Sequence, residues 1–202
     1  YPGAVSISGD TLKIDEYAIR LYAIKDAHDL PWAKEEIDWV VDASGRFTQA
    51  VQAQLHVQAG AKYVLITAPA SGDDVSIIPG VNHGKFNSEK HTIVSLGSCT
   101  TNAFIPMLKV LHDEFGIING FMTTIHAYTN SQVLLDVEGE SLRLARAAAL
   151  NIIPSTTGAA KMLTKVMPEI GGLIKASSIR VPVGIVSLID LTVSTKQEVT
   201  AY

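Results

Sequence analysis

Cys99 is the only cysteine among 202 residues, and it stands in Ser98-Cys99-Thr100-Thr101-Asn102. A strand-like run, Thr92-Ile93-Val94-Ser95, leads into it, and a helix-like run from Thr100 to Glu114 leads away. A thiol at the first turn of a helix faces free backbone N–H groups and the positive end of the helix dipole. Both favour thiolate. Ser98, Thr100 and Thr101 add hydroxyls suited to capping a helix or holding an anion. A nucleophile so presented needs a base. His126 closes the strand-like run Gly120-Phe121-Met122-Thr123-Thr124-Ile125 and is the best candidate. An imidazole titrates near working pH and can relay a proton. The plain alternative is that a lone cysteine is a small buried hydrophobe, and the flanking pattern argues against it.

These residues carry a family resemblance. Ser98-Cys99-Thr100-Thr101-Asn102 followed by Thr123-Thr124-Ile125-His126-Ala127-Tyr128-Thr129-Asn130 resembles the phosphorylating glyceraldehyde-3-phosphate dehydrogenases. Arg146-Ala147-Ala148-Ala149, Asn151-Ile152-Ile153-Pro154, Thr156-Thr157-Gly158-Ala159-Ala160-Lys161 and Arg180-Val181-Pro182 follow in the family's order. Upstream, Ser44-Gly45, Ala68-Pro69 and Gly80-Val81-Asn82-His83 also fit, so the likeness covers nearly the whole chain.

The resemblance implies a reaction and roles. Cys99 attacks the aldehyde carbon of glyceraldehyde 3-phosphate, and His126 takes the proton as hydride passes to NAD or NADP. Inorganic phosphate then releases the resulting thioester. Thr129 and Arg180 would bind the substrate phosphate. Ser98, Thr100, Thr157 and Gly158 would bind the attacking phosphate. Ser44, Gly45, Thr67, Ala68 and Asn130 would contact the cofactor. The chemistry agrees with these residue types: a helix N-terminus offers donors to an anion, and Arg180 a planar, permanently charged fork. Taken singly, each has an ordinary alternative: Thr157 as a cap, Arg180 as a surface ion pair, Thr129 as a loop residue, Ser44-Gly45 as turn chemistry.

Several departures qualify the resemblance. No G-x-G-x-x-G and no following ribose-reading acid are present. The chain reads as an internal piece of a longer protein, expected to be inactive by itself. Ala103 stands where many relatives carry a second cysteine, and Val137-Glu138 matches neither the Leu-Pro of NAD users nor the Ala-Ser of photosynthetic NADP users. Glu138 near a 2′-phosphate would repel it, which favours NAD. Two alternatives stay open: erythrose-4-phosphate dehydrogenase, and a non-catalytic fragment that keeps the fold but binds no cofactor.

Composition sets wider bounds. Hydrophobic residues make up 47% and charged residues 18%, enough apolar sequence for a substantial core. The net charge of −4, with no basic run, argues against nucleic acid, and no apolar stretch approaches the ~20 residues of a membrane helix. One cysteine forms no internal disulfide, which fits a reducing compartment and a cytoplasmic protein. The six histidines are dispersed, so no metal site is expected.

The elements that must position Cys99 and His126 follow from hydrophobic patterning. Strands are predicted at Thr11–Ile14, Ala18–Ile24, Trp39–Asp42, Tyr63–Thr67 and Thr92–Ser95, with a helix over Thr48–Ala59 whose Val51, Leu55 and Ala59 recur on one face. Alternating strands and helices predict α/β architecture with a parallel, doubly wound sheet, and the resemblance implies that residues 1–98 are the remaining half of a Rossmann-type parallel sheet. Phe104, Met107, Leu108, Leu111 and Phe115 mark the helix after Cys99, ended by Gly116, with Pro106 early in the run. Longer strand-like runs at Ile117–His126, Ile174–Val181 and Ile185–Thr195 predict an α+β catalytic domain over 99–202 with a mostly antiparallel sheet. Tyr128–Leu150 reads as a long irregular segment, which the family places at a homotetramer interface.

Overall fold

A computed structural model describes residues 2–139 and 141–200. Three sheets are present among them. Strands β1 (Val5–Ser8), β2 (Thr11–Ile14) and β3 (Tyr17–Arg20) form an antiparallel meander. Two-residue turns at Gly9-Asp10 and Asp15-Glu16 join them, with Gly9 at φ 59° and Asp15 at φ 52°. The predicted strands Thr11–Ile14 and Ala18–Ile24 therefore stand outside the parallel sheet, because connections this short permit only antiparallel pairing. The second also ends at Arg20. Arg20 pairs with Thr11, the first residue of β2, so the ladder has no partner beyond it.

The parallel sheet comprises β4 (Trp39–Asp42), β5 (Tyr63–Ile66), β6 (Val75–Ser76) and β7 (Ile93–Ser95) in the order β4-β5-β7-β6. All its pairings are parallel. Helix α1 (Ala50–Gln58) covers one face. Its buried side is Ala53 and His56, with Ala50 and Val57 packed on Val64, Ile66 and Ile93. The expected Val51–Leu55–Ala59 stripe is displaced, and Val51 is 75% exposed. Small alanines, rather than the larger aliphatics, let the helix approach the sheet.

Helix α2 (Cys99–Phe115) follows β7. Thr101, Phe104, Ile105 and Leu108 form its buried stripe, and Gly116 at φ 65° ends it, whereas Met107 is partly exposed. Pro106 lies two turns in rather than early, so the helix tolerates one missing N–H in its interior. The third sheet holds β8 (Ile117–Ala127), β9 (Ile153–Ser155), β10 (Ile174–Val181) and β11 (Ser187–Thr195), in the order β11-β8-β10-β9. Pairs β11–β8 and β10–β9 are antiparallel, and β10–β8 is parallel. One face packs on α2 and α3 (Ala159–Val166). There Phe104, Ile105, Leu108, Met122, Leu163, Val166 and Ile174 make the main core, which also takes in Ile78 from the loop after β6.

Candidate active site

Side-chain alternation along β8 builds the site. Met122, Thr124 and His126 point to the helix-covered face, because residues two apart share a face. Pairing carries this across the sheet: Met122 sits beside Ala176 and Leu191, Thr124 beside Ser178 and Ile189, and His126 beside Arg180 and Ser187. The face thus changes along its length from apolar core to buried hydroxyls to a histidine and an arginine. The ionisable row lies at the carboxyl end of β8, which opposes the N-terminus of α2.

That N-terminus is tightly organised. Ser98 caps α2: its Oγ accepts from Thr101 N at 3.2 Å, and Thr101 Oγ1 accepts from Ser98 N at 2.7 Å. Asn102 Nδ2 donates to Leu96 O and Ser98 O at 2.7 and 2.9 Å. Gly97 makes the turn possible. It sits at φ 69°, and a Cβ there would lie 2.6 Å from Thr101 Oγ1. The result is an exposed Cys99 on the first turn, with its Sγ 3.6 Å from His126 Nε2.

On the far side of the imidazole, His126 Nδ1 lies 2.7 Å from Ala127 O. Arg180 NH1 lies 2.7 Å from the same Nδ1 and donates to Ala127 O at 3.0 Å. Among the described residues, no carboxylate forms an ion pair with Arg180.

A cleft of about 420 Å³ opens over Cys99, lined among others by Thr100, Thr124, His126, Tyr128, Thr129 and Val186. Cys99, His126, Thr100 and Thr129 therefore come together, with Arg180 against the back of the histidine. Thr129 Oγ1 is bonded to Ser131 Oγ at 2.9 Å. Thr157 and Gly158 serve α3, Gly158 as its N-cap and Thr157 Oγ1 accepting from Ala159 N at 3.2 Å. Neither they, Ser98 nor Asn130 line the cleft.

The other expected residues lie at the carboxyl edge of the parallel sheet, the edge from which β7 runs to Cys99. Ser44 N and Oγ donate to Asp42 Oδ1 at 2.9 and 2.7 Å. Thr67 Oγ1 donates to Asp42 O at 3.1 Å. Ala68 is tied to β7, because its carbonyl accepts from Ser95 Oγ at 2.9 Å. Gly45, at φ 70°, has open space where a Cβ would stand.

Sequence reasoning missed three features of this region. Thr124, 2% exposed, brings a buried hydroxyl without a hydrogen-bond partner to the cleft; strand alternation from His126 could have found it. Val186 holds φ 73°, a strained conformation for a β-branched residue, and delays the start of β11 beyond the predicted Ile185. Asp42 and His56 form a buried pair at 3.8 Å, with Trp32 Nε1 donating to His56 Nδ1 at 3.1 Å. Burial holds His56 below the usual histidine pKa, against the opposing pull of Asp42. Asp42 Oδ2 faces His56 Nε2 at 3.8 Å and is buried without a hydrogen-bond partner.

The fold sets a thiol and an imidazole side by side at the carboxyl edge of an α/β sheet. Residues 98–202 match the family model described as "Glyceraldehyde 3-phosphate dehydrogenase, C-terminal domain". "Glyceraldehyde-3-phosphate dehydrogenase 2" of Streptomyces avermitilis is 47% identical over 196 residues, 97% of this chain and 58% of the relative. "Glyceraldehyde-3-phosphate dehydrogenase" of Geobacillus stearothermophilus is 45% identical over 196 residues, with the same coverage. "Glyceraldehyde-3-phosphate dehydrogenase 1" of Bacillus subtilis is 46% identical over 197 residues, 98% of this chain and 59% of the relative. The chain belongs to the glyceraldehyde-3-phosphate dehydrogenase family. It spans somewhat under three-fifths of the length of these relatives.

Proposed function

We propose that the native protein oxidises glyceraldehyde 3-phosphate to 1,3-bisphosphoglycerate in a phosphate-dependent reaction through a thioester on Cys99. The observation that carries this reading is the 3.6 Å approach of His126 Nε2 to Cys99 Sγ at the N-terminus of α2. Cys99 sulfur forms a bond to the aldehyde carbon, and the carbonyl oxygen becomes the hemithioacetal hydroxyl. His126 Nε2 takes that hydroxyl proton while the hydrogen on the same carbon departs as hydride, leaving the thioester. An oxygen of inorganic phosphate then bonds to the thioester carbon, and the carbon–sulfur bond breaks. The leaving thiolate returns to the N–H groups of the helix start, which lower the cost of its charge.

We assign the substrate phosphate to Thr129, which lines the cleft, and to Arg180, which has no carboxylate partner among the described residues. We assign the attacking phosphate to Ser98, Thr100, Thr157 and Gly158. Ser98 and Thr157 accept hydrogen bonds in their caps through oxygen, and each hydroxyl also carries a proton it can donate. A nicotinamide cofactor, NAD or NADP, supplies hydride acceptance when bound. Ser44, Gly45, Thr67 and Ala68 would hold it, with Asn130. The fit rests on the open space at Gly45 and the placement of both turns at the carboxyl edge.

We further propose that residues 1–98 belong to the dinucleotide-binding domain and 99–202 to the catalytic domain. Exposed Leu134, Leu135, Leu142, Leu150 and Ile152 support a homotetramer interface around Tyr128–Leu150. Glu140 of that segment lies outside the described residues. Among the described residues, no helix is long and apolar enough to cross a membrane, and the single cysteine supports a reducing, cytoplasmic setting. The test is NADH formation from glyceraldehyde 3-phosphate by the native gene product, with and without phosphate. Phosphate-dependent turnover that Cys99→Ser abolishes is expected, because a hydroxyl is a far poorer nucleophile at neutral pH. Undiminished turnover in that variant would overturn the assignment.

A further inference from the structure

The contacts behind His126 place two incompatible demands on one atom. Nδ1 lies 2.7 Å from Ala127 O, which can only accept, and 2.7 Å from Arg180 NH1, which can only donate. A guanidinium stays protonated in a protein. While Arg180 is in place, the Nδ1 lone pair must therefore face it, and Arg180 NH1 also satisfies Ala127 O at 3.0 Å. A neutral imidazole then carries its proton on Nε2, the nitrogen facing Cys99 Sγ. If Arg180 leaves, Ala127 O becomes the partner of Nδ1 and calls for a proton there. The neutral ring then presents a bare Nε2 to the thiol.

We infer that Arg180 is a positioning residue that sets the tautomer of His126. With Arg180 on Nδ1, Nε2–H donates and suits a thiolate. With Arg180 drawn away, Nε2 accepts and suits a base. In the exchange one proton leaves Nε2 for solvent and one from solvent arrives at Nδ1, so the ring stays neutral. Arg180 lacks a carboxylate among the described residues, so an anion competes for its guanidinium with only a ring nitrogen and a carbonyl. A phosphate-bearing substrate would thereby convert His126 from donor to acceptor as it binds. This use of the switch rests on the dehydrogenase reading above; the tautomer control does not.

The experiment is long-range ¹H–¹⁵N NMR of the ¹⁵N-histidine-labelled chain at alkaline pH, where an ordinary imidazole is neutral. His126 is assigned by the signals lost in His126→Asn. The wild type should show a protonated Nε2 and a bare Nδ1. Arg180→Leu should invert the two, and Arg180→Lys, which restores a donor, should return the ring toward the wild-type pattern. Unchanged signals from the other five histidines verify that each variant is folded. A folded Arg180→Leu that keeps the proton on Nε2, or a wild type that carries it on Nδ1, would overturn the inference. Because the readout is independent of turnover, it fails separately from the dehydrogenase assignment, which fails if Cys99→Ser stays active.

Discussion

At the scale of single residues, the account rests on Cys99, His126 and Arg180 occupying three consecutive positions along one line of polar contacts. Each came from a different element, and each element fixes its residue for a local reason: a capped helix start, a strand end and a paired neighbouring strand. His126→Asn in the native protein should lower kcat by about 10²–10⁴-fold, the usual contribution of a positioned acid–base group. Steady-state rates check this, and a loss under about tenfold would remove His126 from the proton transfer. Sequence reading singled out Cys99 and His126 by residue type and flanking pattern, and Arg180 only through the family resemblance. It did not reach Ala127 O or the unpartnered Thr124 hydroxyl. The first is a backbone atom that any residue provides, and the second matters only through burial.

The elements themselves carry costs that can be measured. Ser98→Ala removes the side-chain half of the cap on α2 and should cost about 1 kcal/mol of stability. Gly97→Ala should cost about 1–3 kcal/mol, since it forces an L-residue to φ 69° and drives a methyl into the Thr101 cap oxygen. Leu108→Ala, at a fully buried site under the third sheet, should cost about 2–5 kcal/mol. Urea unfolding of the three variants would rank them, and a Leu108→Ala chain as stable as wild type would contradict the packing described. Strands β4, β5, β7, β8 and β10 were legible because apolar runs bounded by turns identify short strands. Strands β1, β6 and β9 were not. They are two to four residues long, and their existence depends on neighbours that pattern reading does not supply.

For the whole molecule, burial of His56 against Asp42 links stability to pH. Burial lowers the His56 pKa in the fold, so the unfolded chain binds more protons in the interval below the ordinary histidine value, ~6.5. Stability from this group is full above that value and is lost as pH falls through the lowered folded value. The thermal midpoint should therefore drop on acidification below ~6.5, before the carboxylates titrate. His56→Gln should flatten that part of the profile. An equal slope in wild type and His56→Gln would assign the effect elsewhere. Asp136, held below its usual range first by the Ala147 N–H and then by Arg146, adds a separate loss at lower pH. The parallel sheet and a mostly antiparallel one were expected from the order of strand and helix patterns, and the second takes in a parallel β8–β10 pair. The antiparallel meander was misassigned because strand runs alone do not reveal pairing direction, although its two-residue turns do.

In the proposed function, Cys99 carries the acyl group during an oxidation completed by phosphate. The most direct measurement is mass spectrometry of the native gene product after glyceraldehyde 3-phosphate and NAD are added without phosphate. An acyl adduct on the peptide containing Cys99 is expected, with its discharge once phosphate is supplied. An unmodified Cys99 during NADH formation, or an adduct that phosphate leaves in place, would contradict it.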